Sequence, residues 1–251
     1  MTVSGQGLQW VEPDWPVPPT VRAVSTLRSG GVSQPPFESL NLARHVGDDP
    51  RSVSENRRRL SQALQLPDEP FWLQQVHGKQ VARLVAGQVT PTADASFTHE
   101  VGKICVVMTA DCLPVLFCTR NGDRVAAAHA GWRGLVGGVL EATIKSLDCP
   151  PSRLLAWLGP AISSKSFEVG DEVYDAFATR NASNASCFVR NDNQRWQADL
   201  QGLARNELQR LGVLNIFNEA ACTVNDVSRF FSYRRDGRTG RMASMIWLQA
   251  Q

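Results

Sequence analysis

The sequence predicts a single α+β domain, and three observations carry that prediction. Hydrophobic residues make up 43% of the 251-residue chain and charged residues 20%, the balance of a globular protein with a core to bury. Short apolar runs of strand length are mixed with four or so amphipathic stretches of helical length. No internal repeat, low-complexity tract or long linker divides the chain.

The elements follow in order. Pro13, Pro16, Pro18 and Pro19 forbid a helix near the start, so residues 1–20 read as a proline-rich N-terminal arm and residues 21–251 as one catalytic domain. Val21–Leu27 alternates as a strand does, and Arg28-Ser29-Gly30-Gly31 follows as a turn running on through Gln34-Pro35-Pro36. Pro50–Leu64 reads as a helix with a charged face, its proline suited to the first turn. Phe71–Val76, Val81–Val85 and Ile104–Thr109 are expected strands. Leu113–Thr119 and Arg124–His129 form a hairpin about Asn121-Gly122. Leu135–Leu147 should be a helix ended by Asp148–Pro151. Leu154–Leu158 is a buried strand stopped by Gly159-Pro160. Asp171–Arg180 and Asp199–Leu211 are amphipathic helices, and Phe230–Tyr233 and Met242–Trp247 are strand-like around the loop Arg234–Gly240.

Charge and composition exclude some function classes. The net charge of +2 gives no footing for a nucleic-acid or membrane partner, and Arg57-Arg58-Arg59 and Arg234-Arg235 read as solvated faces. The N-terminus has no basic segment followed by an apolar one, and the longest apolar runs fall far short of the about 20 residues of a membrane helix. A cytoplasmic location is expected. The six cysteines (Cys105, Cys112, Cys118, Cys149, Cys187 and Cys222) show no CxxC pair and are expected as free thiols. No oligomeric state is assigned.

The chemistry is sought among four histidines: His45, His77, His99 and His129. His77 and His129 end strand-like runs beside glycine or small residues. Cys112 stands where one strand ends and the next begins, and the Asn121-Gly122 hairpin brings it near His129. Two readings stay open. Three ligands with a vacant fourth position define a catalytic zinc, although separations of 35 and 17 residues match no compact zinc-finger pattern. Alternatively Cys112 is a nucleophile and His129 its base. Arg28 beside Gly30 and Gly31, and Arg133 between Gly131 and Gly134, place guanidinium groups on permissive backbone suited to phosphate or carboxylate. Asp111 either orients a histidine or caps a turn. No Walker-type or GxGxxG motif is present.

These segments together resemble the YfiH-type family, also described as laccase-domain or multicopper polyphenol oxidase-like and associated with purine nucleoside phosphorylase activity. The resemblance runs from Thr26-Leu27-Arg28-Ser29-Gly30-Gly31 to Thr239-Gly240-Arg241-Met242-Ala243-Ser244. It passes through Ser39-Leu40-Asn41-Leu42, His45-Val46-Gly47-Asp48, the segments around His77, Cys112 and His129, Leu158-Gly159-Pro160, and Phe230-Phe231-Ser232-Tyr233. It implies a four-layer α/β/β/α sandwich with mixed sheets, and a zinc, in preference to a copper, held by His77, Cys112 and His129. It implies phosphorolysis of adenosine, inosine and methylthioadenosine, and deamination of adenosine. Nucleoside and phosphate would then be the small-molecule partners, with Arg28, Arg133, Asn41 and His45 as substrate-binding candidates and Asp111 beside the catalytic cysteine. The competing functions are a Cys/His hydrolase editing peptidoglycan precursors and a single-copper phenol oxidase. Four histidines are too few for a multicopper enzyme.

Overall fold

A computed structural model describes residues 1–85 and 90–250. Its strands are β1 (Thr2–Gly5), β2 (Leu8–Val11), β3 (Val21–Thr26), β4 (Val81–Arg83), β5 (Ala95–Thr98), β6 (Ile104–Thr109), β7 (Leu113–Thr119), β8 (Val125–Ala130), β9 (Leu154–Leu158), β10 (Glu168–Val169), β11 (Phe188–Arg190), β12 (Trp196–Ala198), β13 (Asn215–Asn218) and β14 (Met242–Leu248). Its α-helices are α1 (Pro50–Leu64), α2 (Trp132–Gly137), α3 (Val139–Ser146), α4 (Asp171–Ala178), α5 (Leu200–Arg210) and α6 (Tyr233–Asp236). No described helix is long and apolar enough to cross a membrane.

Side-chain alternation along the strands builds the layers. A five-stranded sheet, β1-β2-β3-β14-β6, faces a six-stranded one, β13-β9-β7-β8-β5-β4. Cys105 and Val107 of β6 meet Leu116 and Cys118 of β7, Ala127 of β8 and Trp157 of β9 between the sheets. The alternate residues point outward. Leu113, Val115 and Phe117 of β7, with Ala126 and Ala128 of β8, pack under α2, α3, α4 and α5. Ile104 and Val106 pack with Val24 and Met245 around Leu60 of α1 on the opposite side. The result is the α/β/β/α stack. The six-stranded sheet is mixed, with parallel β13/β9 and β4/β5 pairs, whereas the five-stranded one is wholly antiparallel. A small sheet, β10-β12-β11, lies outside both.

The α1 helix begins as its sequence dictates: Asp49 accepts from the Arg51 and Ser52 amides, and Pro50 stands in the first turn. Its buried Asn56 accepts from Val32 N and donates to Ser39 O and Asn41 O, fastening the loop ahead of it.

Four expectations are corrected. Within residues 1–20, β1 and β2 form a hairpin joined to β3, with Leu8, Trp10 and Val11 buried. The segment is therefore a sheet edge, and the four prolines all fall after it. The helix expected over Leu135–Leu147 is two helices, because Gly138 takes φ +93°, a left-handed conformation that glycine alone adopts without strain. Phe71–Val76 makes only isolated bridges at Phe71 and Gln74; beyond them the Gln75 side chain pairs with the Met108 backbone in place of a ladder. Phe230–Tyr233 forms no strand: Phe230 N bonds back to Asp226 O in a turn, and Ser232 caps α6.

Candidate metal centre

β6 belongs to one large sheet and β7 to the other, so Ala110–Cys112 carry the chain across the end of the sandwich. Asp111 turns that corner at φ +87°, and Asp is among the few residue types that tolerate it. Its carboxylate accepts from Thr223 Oγ1 at 2.6 Å, Ser232 Oγ at 3.0 Å and Arg234 N at 2.6 Å. Asp111 thus pins a distant loop to the corner, and no histidine is among its hydrogen-bond partners.

His129 lies one residue before the end of β8, in register with Pro114, and its odd-numbered place turns it toward the space between the sheets. His77 follows the Gln75 clamp at φ +60°. The residue that joins the two is Asp94, fully buried. Its Oδ1 accepts from His129 Nδ1 at 2.8 Å and from His77 N at 2.9 Å. Its Oδ2 accepts from Gly78 N at 2.7 Å and Val76 N at 3.1 Å, and its main-chain oxygen accepts from His129 N at 2.7 Å. Because an ionised carboxylate only accepts, the His129 hydrogen must sit on Nδ1, leaving Nε2 as the free donor of a lone pair.

His77, Cys112 and His129 each offer a ligand atom, and these atoms lie within 4.8 Å of one another. His77 Nε2 is 3.9 Å from Cys112 Sγ. Tetrahedral zinc with its usual Zn–S and Zn–N bonds holds such atoms roughly 3.5 Å apart, so that pair needs a few tenths of an ångström of closure, and a pair at the 4.8 Å limit about 1.3 Å. The two imidazoles meet edge to face, centroids 4.8 Å apart. Gly131 makes room: a Cβ there would stand 2.9 Å from Cys112 Sγ and 3.1 Å from His77 Cδ2. Two imidazoles and a thiol at this spacing fit a divalent zinc-like ion with an open fourth position.

Electrostatics set Cys112 apart from the other thiols. Burial alone would raise its pKa, but the facing His129 and His77 hold it well below the usual thiol value. Burial lowers His129, and Cys112 and Asp94 more than reverse this. In contrast, burial pushes Cys105 and Cys118 up to about 12. Cys222 is also lowered, against its burial, by hydrogen bonds around Ser163, but it stands outside the cluster.

The other predicted residues are placed less directly. Arg28 gives Nε and Nη2 to Glu38 O and Nη1 to Val227 O, so its fork is occupied by backbone. Buried Asn41 bonds Ala43, Asp48 and Arg241 N, ordering its own loop. Exposed Arg133 lies over the Trp132 ring at 4.4 Å. His45 lines a cleft beside the cluster, its pKa lowered by burial and then by Arg241 and Arg57. Sequence reasoning missed Asp94 and Arg241 as site residues. Arg241 gives Nη1 to Thr239 O and Gly240 O and lies close enough to Cys112 and Asp111 for their charges to act on it. The one signal for Asp94 was an acid set among small residues at the start of a strand.

A family model described as multi-copper polyphenol oxidoreductase laccase matches residues 22–249. A purine nucleoside phosphorylase of Pseudomonas aeruginosa is 56% identical over 96% of this chain and 98% of its own. Purine nucleoside phosphorylase YfiH of Escherichia coli is 52% identical over 95% and 98%. Among solved structures, a Neisseria meningitidis protein superposes with TM-score 0.93 at 50% identity, covering 96% of this chain and 99% of its own. YlmD of Geobacillus stearothermophilus does so with 0.89 at 31% identity, covering 99% and 98%.

Proposed function

The chain belongs to the YfiH-type, laccase-like family, and from that premise we propose that it is a zinc-dependent purine nucleoside phosphorylase that also deaminates adenosine. The observation that carries the reading is the convergence of His77, Cys112 and His129 on one point, with both histidines held by Asp94. Relatives named purine nucleoside phosphorylase supply the substrate class, a purine nucleoside with phosphate, and the family resemblance narrows the nucleoside to adenosine, inosine or methylthioadenosine. A zinc held by these three residues supplies Lewis-acid chemistry at the open position.

The chain's own residues do the rest. Asp94 holds the His129 ring in one tautomer and one orientation, and through the amides of residues 76–78 it sets the His77 backbone. Trp132 follows Gly131, Val76 precedes His77, and Tyr233 stands beside the Asp111-bound loop. Val76 and Tyr233 are exposed and Trp132 half-buried, so an apolar or aromatic side chain adjoins each of these segments and is available to a purine face. Four histidines cannot ligate a multicopper set, so a copper bound here would be a single ion.

One observation favours a second reading. Cys112, His129 and Asp94 stand in the order nucleophile, base and orienter that a metal-free Cys/His hydrolase of peptidoglycan precursors would use. Chromatography of zinc-loaded protein with adenosine, with and without phosphate, separates the two. Adenine that depends on phosphate, or inosine, lost in Cys112→Ala and on chelation, is the expected result. No product from adenosine, inosine or methylthioadenosine defeats the nucleoside reading. Peptide-precursor turnover that survives chelation but not Cys112→Ser establishes the hydrolase instead.

A further inference from the structure

Between α1, the loop bearing Arg44 and His45, and the segment around Trp72 lies a cleft of about 620 Å³. The Arg57 guanidinium stacks on the Trp72 ring, its carbon 3.7 Å from the centroid, and gives Nε and Nη2 to Leu42 O at 2.9 and 2.7 Å. That arrangement locks the fork while leaving three of its five N–H groups free. Arg44 is exposed and makes no hydrogen bond or ion pair among the described residues. Of the wall's carboxylates, Asp68 is paired with Lys103 at 2.7 Å, whereas Glu69 accepts from the Trp72 indole N–H at 2.8 Å and keeps a charge that acts on Arg57. Burial and the neighbouring Arg44 hold Arg57 down to about 10, a repulsion that a bound anion would relieve.

The cleft is linked to the metal centre through shared segments. Met108 lines it, and the Met108 backbone is clamped by Gln75, two residues before His77. His45, in the same wall, lies within electrostatic reach of Arg57 on one side and Arg241 on the other, and Arg241 within reach of Cys112. Of the arginines the sequence suggested for phosphate, Arg28 is occupied by backbone carbonyls. We propose that this cleft is the phosphate-binding subsite, with the guanidinium groups of Arg44 and Arg57 as its ligands. Its part in turnover rests on the phosphorolysis reading; the binding of inorganic phosphate does not.

The test is calorimetric titration of inorganic phosphate into the full-length zinc-loaded protein, with Arg44→Gln, Arg57→Gln and Arg133→Gln alongside, followed by initial rates at varied phosphate and fixed nucleoside. Arg44 is exposed and makes no hydrogen bond or ion pair among the described residues, so Arg44→Gln keeps the fold even if Arg57→Gln does not. Arg44→Gln should weaken phosphate binding about tenfold, the scale of one hydrogen bond to a charged group. The KM for phosphate should rise with it, while the KM for nucleoside stays unchanged. Failure of the wild type to bind phosphate overturns the proposal. Unchanged binding in Arg44→Gln and Arg57→Gln also overturns it, as does a loss seen in Arg133→Gln alone. Phosphate binding that Arg44→Gln weakens in a protein without phosphorolysis supports the subsite and defeats only the proposed reaction.

Discussion

Asp94→Asn tests the core of the site, because it exchanges one oxygen for an NH₂ group and leaves the shape intact. The carboxylate receives four hydrogen bonds: Oδ1 from His129 Nδ1 and His77 N, Oδ2 from Gly78 N and Val76 N. An asparagine can serve only one of these pairs. With its oxygen facing Gly78 and Val76, its NH₂ meets the His77 amide donor to donor, and His129 must accept on Nδ1. The ring proton then moves to Nε2, where the lone pair for a metal would be. With the amide reversed, His129 keeps its tautomer and the Val76 and Gly78 amides lose their acceptor. The first orientation leaves one buried donor facing a donor and the second leaves two. Each such loss costs about 1–3 kcal/mol, so about 1–3 kcal/mol is expected in the first case and about 2–6 kcal/mol in the second.

For a chain of this length that corresponds to a fall in Tm of about 2–20 °C. Removing the carboxylate behind a ligating imidazole typically weakens metal affinity by about 10- to 100-fold. Thermal denaturation and competition against a chromophoric zinc chelator read the two effects separately. Phe117→Ala is the comparison: Phe117 is fully buried under the helices, and its loss should cost about 3–5 kcal/mol by cavity formation without touching affinity. An Asp94→Asn protein that binds zinc within about twofold of wild type would refute the reasoning, whatever its Tm, since one amide orientation removes the His129 lone pair and the other unfastens the backbone that delivers His77.

Two further outcomes are expected. Gly131→Ala should fold normally, since Gly131 has φ −63°, yet lose most zinc affinity, because its new Cβ stands 2.9 Å from Cys112 Sγ; wild-type metal content after dialysis would count against the assigned geometry. Glu207, 6% exposed, accepts from Arg210 Nε at 2.8 Å and Arg180 Nη2 at 3.0 Å, and these arginines hold its carboxyl below the usual range despite burial. A depressed folded pKa means that the stabilisation is complete above the unfolded value near 4.3 and is lost as pH falls through the lower folded value. Glu207→Gln should therefore unfold earlier than wild type at pH 7, by about 1–3 kcal/mol, and the gap should close below about pH 4. Melting curves from pH 3 to pH 7 with a constant gap would contradict this.

The elements that sequence located well are those whose surroundings impose one answer. β6, β7, β9 and β14 are buried on both faces, so their apolar runs coincide with their limits to within a residue. α1 carries its own start signal in Asp49-Pro50. β10 to β13 have two to four residues each and partly exposed faces, too little pattern to register. The cluster drew notice because His77 and His129 end strand-like runs beside glycine or alanine, a poor place for filler, and the hairpin brings Cys112 near His129. Arg28 and Arg133 drew notice by their flanking glycines, whereas Arg57 looked like part of a solvated run. Only packing shows that it lies on Trp72 with its fork bound to Leu42 O.

Asp94 explains why the rest was not legible, and why the fold and the site are one problem. Residues 76–78 leave the end of the sandwich without a ladder, so three consecutive amides need an acceptor that no strand provides. A neutral acceptor in that place would have too few lone pairs; a buried carboxylate has enough, but its charge needs a donor that can share positive charge. His129 Nδ1 is that donor. The group that satisfies the loop therefore also selects the tautomer whose Nε2 faces Cys112, and the loop so satisfied is the one that delivers His77. Neither histidine can be repositioned without unsatisfying the other's backbone, which makes the pairing of His77 with His129 a consequence of hydrogen-bond accounting between residues 52 positions apart rather than of any local pattern.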